Sequence, residues 1–299
     1  MGSTAVVTGG TDGIGSAIAG RLAGRGARVI IIGRNAEKGV RAETGIRAST
    51  GNSSVEFMRA DLSLMRETDR LAEIINARFP VLNRLVLCAG VVRGRRVETV
   101  EGIESNFAIN YLTRFALTGH LMPVLQAAGT SGAASRIVVV SGAAQNGKIY
   151  YDDVNLTRNF GIARMVSQFC EANDLFVREQ ARRLCDGANQ GAVTITTLKV
   201  GVVKTNIRSG FPMWMRVLVP LVFDPFLAQT TEQIADSAVR LLTGPEFEGV
   251  GGALFRHIKK FRRLELPQTS EGPRLWRFTE QLLERTRSGG LRTDRLSHA

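Results

Sequence analysis

Short apolar runs rich in β-branched residues alternate along this chain with longer stretches in which apolar residues recur at helical spacing. Thr4 to Thr8, Arg28 to Gly33, Val55 to Ala60, Arg84 to Cys88, Arg136 to Ser141, Ala192 to Leu198 and Gly252 to Arg256 read as strands. Helix-length segments separate them. Strands so continuously apolar are covered on both faces, and parallel pairing needs crossovers that place helices there. The pattern predicts an α/β fold, a doubly wound parallel sheet of about seven strands ordered 3-2-1-4-5-6-7. A single domain over 1–287 with a tail over 288–299 accommodates the 299 residues.

No repeat or low-complexity tract interrupts this alternation, and the Gly129 to Ser135 stretch reads as a loop. Phe211 to Ala228 is strongly apolar. Arg216, Asp224 and three prolines break it before the roughly 18 uninterrupted apolar residues of a membrane span accumulate. It reads as part of a substrate-covering lid over 203–230, lined by Phe211, Met213, Trp214, Leu218 and Phe223.

Composition narrows the function classes. Hydrophobic residues make up 44% and charged residues 22%, as in ordinary globular domains. The net charge of +12 invites a nucleic-acid reading, but the basic residues are mostly arginines scattered through predicted helices and loops. The densest run, Arg256 to Arg263, reads as a solvated exit segment after the last strand. No nucleic-acid partner and no stable membrane insertion are expected. Cys88, Cys170 and Cys185 lie inside apolar patterns, which fits a reducing compartment without disulfides. His120, His257 and His298 are far apart and no metal-ligand spacing occurs, so no metal is expected. The first strand begins almost at the N-terminus, which leaves no space for a signal peptide and predicts a cytoplasmic protein.

The first predicted strand runs into Gly9-Gly10-Thr11-Asp12-Gly13-Ile14-Gly15, followed by the helical stripe Ala17, Ile18, Leu22 and Ala23. In this order Gly9 makes the tight turn, Gly13 lets backbone approach a diphosphate, and Gly15 lets the helix pack on the strand. Asp12 is a counter-signal, since a carboxylate near phosphates is unfavourable. After the second strand, Gly33 is followed by Arg34 and Asn35 rather than by an acidic residue. A guanidinium suits a ribose 2′-phosphate, so the cofactor predicted is NADP(H).

The spacing from Thr8-Gly9 to Gly13-Ile14-Gly15 resembles the short-chain dehydrogenase/reductase superfamily, a Rossmann fold. Arg59-Ala60-Asp61-Leu62-Ser63 is similar to that family's adenine-contacting turn, Cys88-Ala89-Gly90 to its NAG motif, and Asn110 to its helix asparagine. Ala172-Asn173 with Leu175-Phe176 resembles the retinol-dehydrogenase-like branch. The resemblance implies cofactor contacts from Gly9, Thr11 to Gly15, Arg34, Asn35, Asp61, Leu62, Cys88 to Gly90, Gly201, Val203 and Thr205. It also implies pairing as a homodimer or homotetramer through the helix carrying Val166 and Cys170.

In that family a Tyr exchanges the substrate proton, a Lys four residues on lowers its pKa and holds the ribose, and a Ser polarises the carbonyl. Anchored on Ala172-Asn173, the Tyr and Lys slots fall on Val166 and Cys170, and the Ser slot falls on Gly142. Ser141 lies one residue early and, by strand alternation, is expected to point elsewhere unless the strand end twists. Asn110, Ser141 and Tyr151 remain as candidate catalytic residues, Tyr151 as a relocated acid among Tyr150, Tyr151, Asp152 and Asp153.

Losing a positioned general acid costs about 10² to 10⁴ in rate, which argues against ordinary carbonyl reduction. The expected function is a divergent NADP(H)-dependent oxidoreductase of a hydrophobic small molecule, such as an imine, an iminium or a specialised-metabolite intermediate. Two alternatives stay open: a cyclase or lyase that uses the pocket for positioning, and an inactive module that senses NADP(H).

Overall fold

The computed structural model describes residues 2–130, 132, 134–144, 146–186, 191–201, 229–257, 261–264 and 270–289. Strands β1 (Thr4–Thr8), β2 (Arg28–Gly33), β3 (Val55–Arg59), β4 (Arg84–Leu87), β5 (Ser135–Gly142), β6 (Val193–Val200), β7 (Leu254–His257) and β8 (Phe261–Leu264) form one sheet. Its order is β3-β2-β1-β4-β5-β6-β7-β8. The first seven strands are parallel, in the predicted order, and β8 pairs antiparallel with β7.

That eighth strand corrects the reading of Arg256 to Arg263 as an exit segment. Arg256 and Phe261 to Arg263 pair across β7 and β8, with Arg256 opposite Arg262. The sequence hid the hairpin because a charged edge strand lacks the apolar signature of a buried one, and edge charge is a common guard against strand addition.

Helices α1 (Gly13–Gly24), α2 (Ala36–Thr50) and α6 (Thr231–Thr243) cover one face. The other carries α3 (Met65–Arg78), α4 (residues 105–130), α5 (Ile162–Asp186) and α7 (Glu271–Arg287). Although the central strands are largely apolar, their side chains still alternate. Val6, Ile30, Ile32, Ile137 and Val139 pack into the core of the α3/α4/α5/α7 layer, while Ala5, Val7, Val29, Ile31 and Val138 pack into the opposite core.

Helix α4 is not uniform. Its residues Ala108–Leu112 form a π turn that contains Asn110, a distortion frequent at functional sites. The same turn presents Tyr111 to the core, where its ring meets Phe107, Phe115 and Phe176. Trp276 from α7 closes on Phe115 with ring centroids 4.6 Å apart. Helix α7 is thereby part of the core, fastened further by Arg287 to Asp69 at 2.7 Å.

The Tyr111 hydroxyl is fully buried, 2.7 Å from Thr279 Oγ1, which itself donates to the Leu275 carbonyl. Tyr111→Phe is therefore expected to cost only about 1 kcal/mol, one net hydrogen bond. Tyr111→Ala opens a cavity and is expected to cost about 4 kcal/mol. Urea unfolding curves of the two variants measure the contrast.

Candidate active site

The glycine turn is built by contacts that tolerate no side chain. Gly9 has φ +68° and Gly13 φ +52°, the left-handed region that favours glycine. A Cβ on Gly15 would stand 2.3 Å from the Gly9 carbonyl oxygen, and one on Gly9 would stand 2.9 Å from Ala89 Cα. The β1 and β4 loops thus touch at the point where strand order reverses, the crevice in which open α/β sheets bind ligands. The Thr8 hydroxyl joins them, accepting from the Cys88 and Ala89 amides at 2.9 and 3.1 Å and donating to the Val86 carbonyl.

Asp12 caps α1 by accepting from the Gly13 amide at 2.8 Å, and Lys38 Nζ lies 3.3 Å from its other oxygen. Lys38 thus offsets the carboxylate that argued against an anion here. Thr11 packs over Gly33, where a Cβ would meet its side chain at 2.6 Å. Asn35 caps α2 through the Lys38 amide. Arg34 reaches toward Asp61 at 3.7 Å, Asp61 accepts from Ser63, and Arg59 Nε donates to the Arg34 carbonyl. Arg34, Lys38 and Arg59 gather at the carboxyl ends of β2 and β3. Sequence reasoning missed Lys38, whose place is set by the α2 cap rather than by a motif.

Cys88, Ala89 and Gly90 follow β4, and Gly90 lies against Asn110, whose Oδ1 a Cβ there would meet at 2.7 Å. Asn110 donates to the Val91 and Asn106 carbonyls, and its own carbonyl accepts from Asn173 at 2.8 Å. Leu62 is buried in the core, and Ile14 packs against the opposite one. The Gly201 amide donates to Gln229 at 3.4 Å. Val203, Thr205, Phe211, Met213, Trp214, Leu218, Phe223 and the rest of the expected lid through Ala228 lie outside the described residues.

At the end of β5, Ser141 is on the face of Ile137 and Val139 that meets α5. Its Oγ is buried beside the Cys170 thiol. Gly142 also approaches α5, since a Cβ there would lie 3.0 Å from Cys170 Sγ. The strand end therefore turns both residues toward the helix face that carries Val166 and Cys170. Burial pushes the Cys170 thiol up, and neighbouring Lys199 and Ser141 only partly oppose it, which makes it a poor nucleophile.

Two charged groups behind this face went unnoticed in the sequence. Lys199 sits opposite Ser141 in the β5–β6 register. Its buried ammonium is 2.5 Å from Asp174 Oδ2 and donates to the Ala144 carbonyl at 2.9 Å. Burial pushes the Asp174 carboxyl up to about 7 despite Lys199. The signal was present as a lysine closing an otherwise uncharged strand, TITTLKV, but its burial depends on α5.

Tyr151 points another way. Its hydroxyl donates to Glu271 at 2.9 Å, Arg274 stacks on its ring at 4.1 Å, and Phe278 meets the ring edge-on. Burial and the Glu271 carboxylate push the phenol well above its ordinary value. Asp153 is likewise occupied, accepting from Thr157 and from the Arg158 amide. Among the described residues no group of three or more His, Cys, Asp or Glu could hold a metal. No helix there is long and apolar enough to cross a membrane.

A doubly wound sheet with a glycine turn at its switch point defines a class of nucleotide-binding α/β proteins. The family model for short chain dehydrogenases matches residues 3–151. Retinol dehydrogenase 14 of Homo sapiens is 31% identical, over 94% of this chain and 86% of its own. Retinol dehydrogenase 12 of Bos taurus is 34% identical over 95% and 87%, and polyprenol dehydrogenase of Homo sapiens 31% over 88% and 79%. Among solved structures, the Pseudomonas aeruginosa RhlG/NADP active-site complex superposes with a TM-score of 0.68 at 22% identity, over 85% of this chain and 94% of that one. The chain belongs to the short-chain dehydrogenase family, in its retinol-dehydrogenase-like branch.

The Lys199–Asp174 pair yields a test with a defined sign. A folded-state carboxyl pKa of about 7, above the ordinary 3.8, favours folding when protonated. That contribution is full below about pH 4 and lost as pH rises through about 7. Wild-type stability is therefore expected to fall relative to Asp174→Asn across this window, read from urea melts at several pH values. Lys199→Met removes the charge that lowers the Asp174 carboxyl, so the group is expected to stay protonated at neutral pH and the stability loss to move to higher pH than in the wild type.

Proposed function

We propose that this chain is an NADP(H)-dependent oxidoreductase of an apolar small molecule that works without a tyrosine–lysine proton relay. The observation that carries the reading is the glycine turn between Gly9 and Gly15, closed against Ala89 at the switch point and flanked by Arg34 and Lys38. Backbone amides and the α1 dipole suit a diphosphate. Arg34, Lys38 and Arg59 suit a 2′-phosphate, which NADP(H) carries and NAD(H) lacks. Solved relatives include proteins described as complexes with NADP and NADPH.

When bound, the reduced nicotinamide supplies a hydride. The α5 face toward β5 presents Val166 and Cys170, with Gly142 opposite, and none of these exchanges a proton with a carbonyl oxygen. An iminium substrate fits this face, because its carbon accepts hydride to give a neutral amine with no proton required at oxygen. The relatives named for retinol and polyprenol act on apolar alcohols, which supports an apolar substrate here.

Titration of the protein with NADPH and NADH tests the cofactor. NADPH is expected to bind at least about tenfold tighter, and Arg34→Ala with Lys38→Ala to remove that preference, since charge-assisted hydrogen bonds are worth about 1.5 to 3 kcal/mol each. Equal affinity for both nucleotides in the wild type would reject the assignment. Turnover is followed by loss of reduced-nicotinamide absorbance with an apolar cyclic iminium and with the matching ketone. Faster consumption with the ketone would remove the iminium reading, while tight NADPH binding with no consumption by either would favour a sensor.

A further inference from the structure

Arg114, on α4, is almost completely buried, and among the described residues no carboxylate pairs with it. Its guanidinium makes two hydrogen bonds, from Nη2 to the Ala89 carbonyl at 2.9 Å and from Nη1 to Asn173 Oδ1 at 3.2 Å. Nε is buried with no partner. Burial pushes the group down to about 10, so it stays charged at neutral pH. A desolvated, uncompensated cation is costly to a fold, and an apolar residue of similar volume would serve packing better. Such a group is retained most economically where a ligand completes its coordination.

Its surroundings identify that ligand. The Ala89 carbonyl that holds it belongs to the loop that closes on Gly9, on the β4 side of the switch point. Arg34 and Asp61, which suit the adenosine half of a dinucleotide, lie on the opposite side, after β2 and β3. A dinucleotide centred on the glycine turn must send its nicotinamide half across the β4 loop. Asn173, the second anchor, is three residues after Cys170 on the same α5 face. The guanidinium charge acts on the thiols of both Cys88 and Cys170.

We propose that Arg114 is a cofactor-anchoring residue whose guanidinium binds the hydroxyl oxygens of the nicotinamide-side ribose, supplying from α4 the cation that position 170 on α5 lacks. The proposal rests on the NADP(H) reading above and adds a residue to it. It also explains Cys170. A lysine at that position would stand beside both Arg114 and Lys199, so Cys170 keeps a further cation out of this cluster.

The test compares NADPH with adenosine 2′,5′-bisphosphate, which carries only the adenosine half. Arg114→Met is expected to weaken NADPH binding about tenfold or more and to leave bisphosphate affinity within about twofold, one lost charge-assisted contact. Cys170→Lys alone is expected to lower the melting temperature of the free protein. The double variant Arg114→Met/Cys170→Lys is expected to recover both that temperature and NADPH affinity, a coupling that distant residues do not show. Arg114→Gln, which keeps an amide donor for Ala89 or Asn173, repeats the selective loss if the methionine variant does not fold. Unchanged NADPH affinity in Arg114→Met or Arg114→Gln, equal losses for both ligands, or strictly additive effects in the double variant would overturn the proposal. Wild-type protein that bound neither ligand would instead overturn the cofactor reading on which it stands.

Discussion

The approach of the β1 and β4 loops is the constraint on which the site depends. Adjacent parallel strands end side by side, but their loops leave in opposite directions at a switch point, and the crevice between them is as open as the local packing allows. Here the Thr8 hydroxyl takes the Cys88 and Ala89 amides, and Gly9 lets Ala89 approach to a distance that no side chain would permit. Gly15 then brings α1 down onto the Gly9 carbonyl. The crevice is thus set by one hydroxyl and two missing Cβ atoms, and every neighbouring group is positioned relative to it.

Behind the α5 face, charge has been distributed differently from what the family resemblance implies. The helix offers Val166 and Cys170, while the cations that act on Cys170 come from β6, as Lys199, and from α4, as Arg114. Lys199 is bonded to Asp174 and to the Ala144 carbonyl and belongs to the interior. Arg114 is buried, has no carboxylate partner among the described residues, and holds the Ala89 carbonyl of the β4 loop. This arrangement keeps positive charge close to the β4 loop, while position 166 on α5 carries a valine.

Helix α7 has a double part. Its Trp276 and Thr279 complete the core around Tyr111. Its Glu271, Arg274 and Phe278 hold Tyr151 by hydrogen bond, cation stacking and ring contact. The Tyr151 phenol, a candidate acid in the loop after β5, is therefore held by the C-terminal helix.

The sequence alone determined the sheet, its seven parallel strands and their order, and the glycine turn, because short apolar β-branched runs, crossover length and the conformational demands of glycine are local or nearly local properties. It also assigned Arg34 to the cofactor's 2′-phosphate and positions 142, 166 and 170 to the family's Ser, Tyr and Lys slots through motif spacing. It could not show that β7 continues into an antiparallel partner, since the charged edge strand Phe261–Leu264 has no apolar signature. Nor could it show that Ser141 faces α5 or that Tyr151 is held by Glu271, 120 residues away in the chain. Whether a charged side chain such as Lys199 or Arg114 is solvated or buried is decided by which helix packs over it. That is a tertiary fact, because desolvation depends on everything within a few ångströms and on nothing that spacing along the chain records.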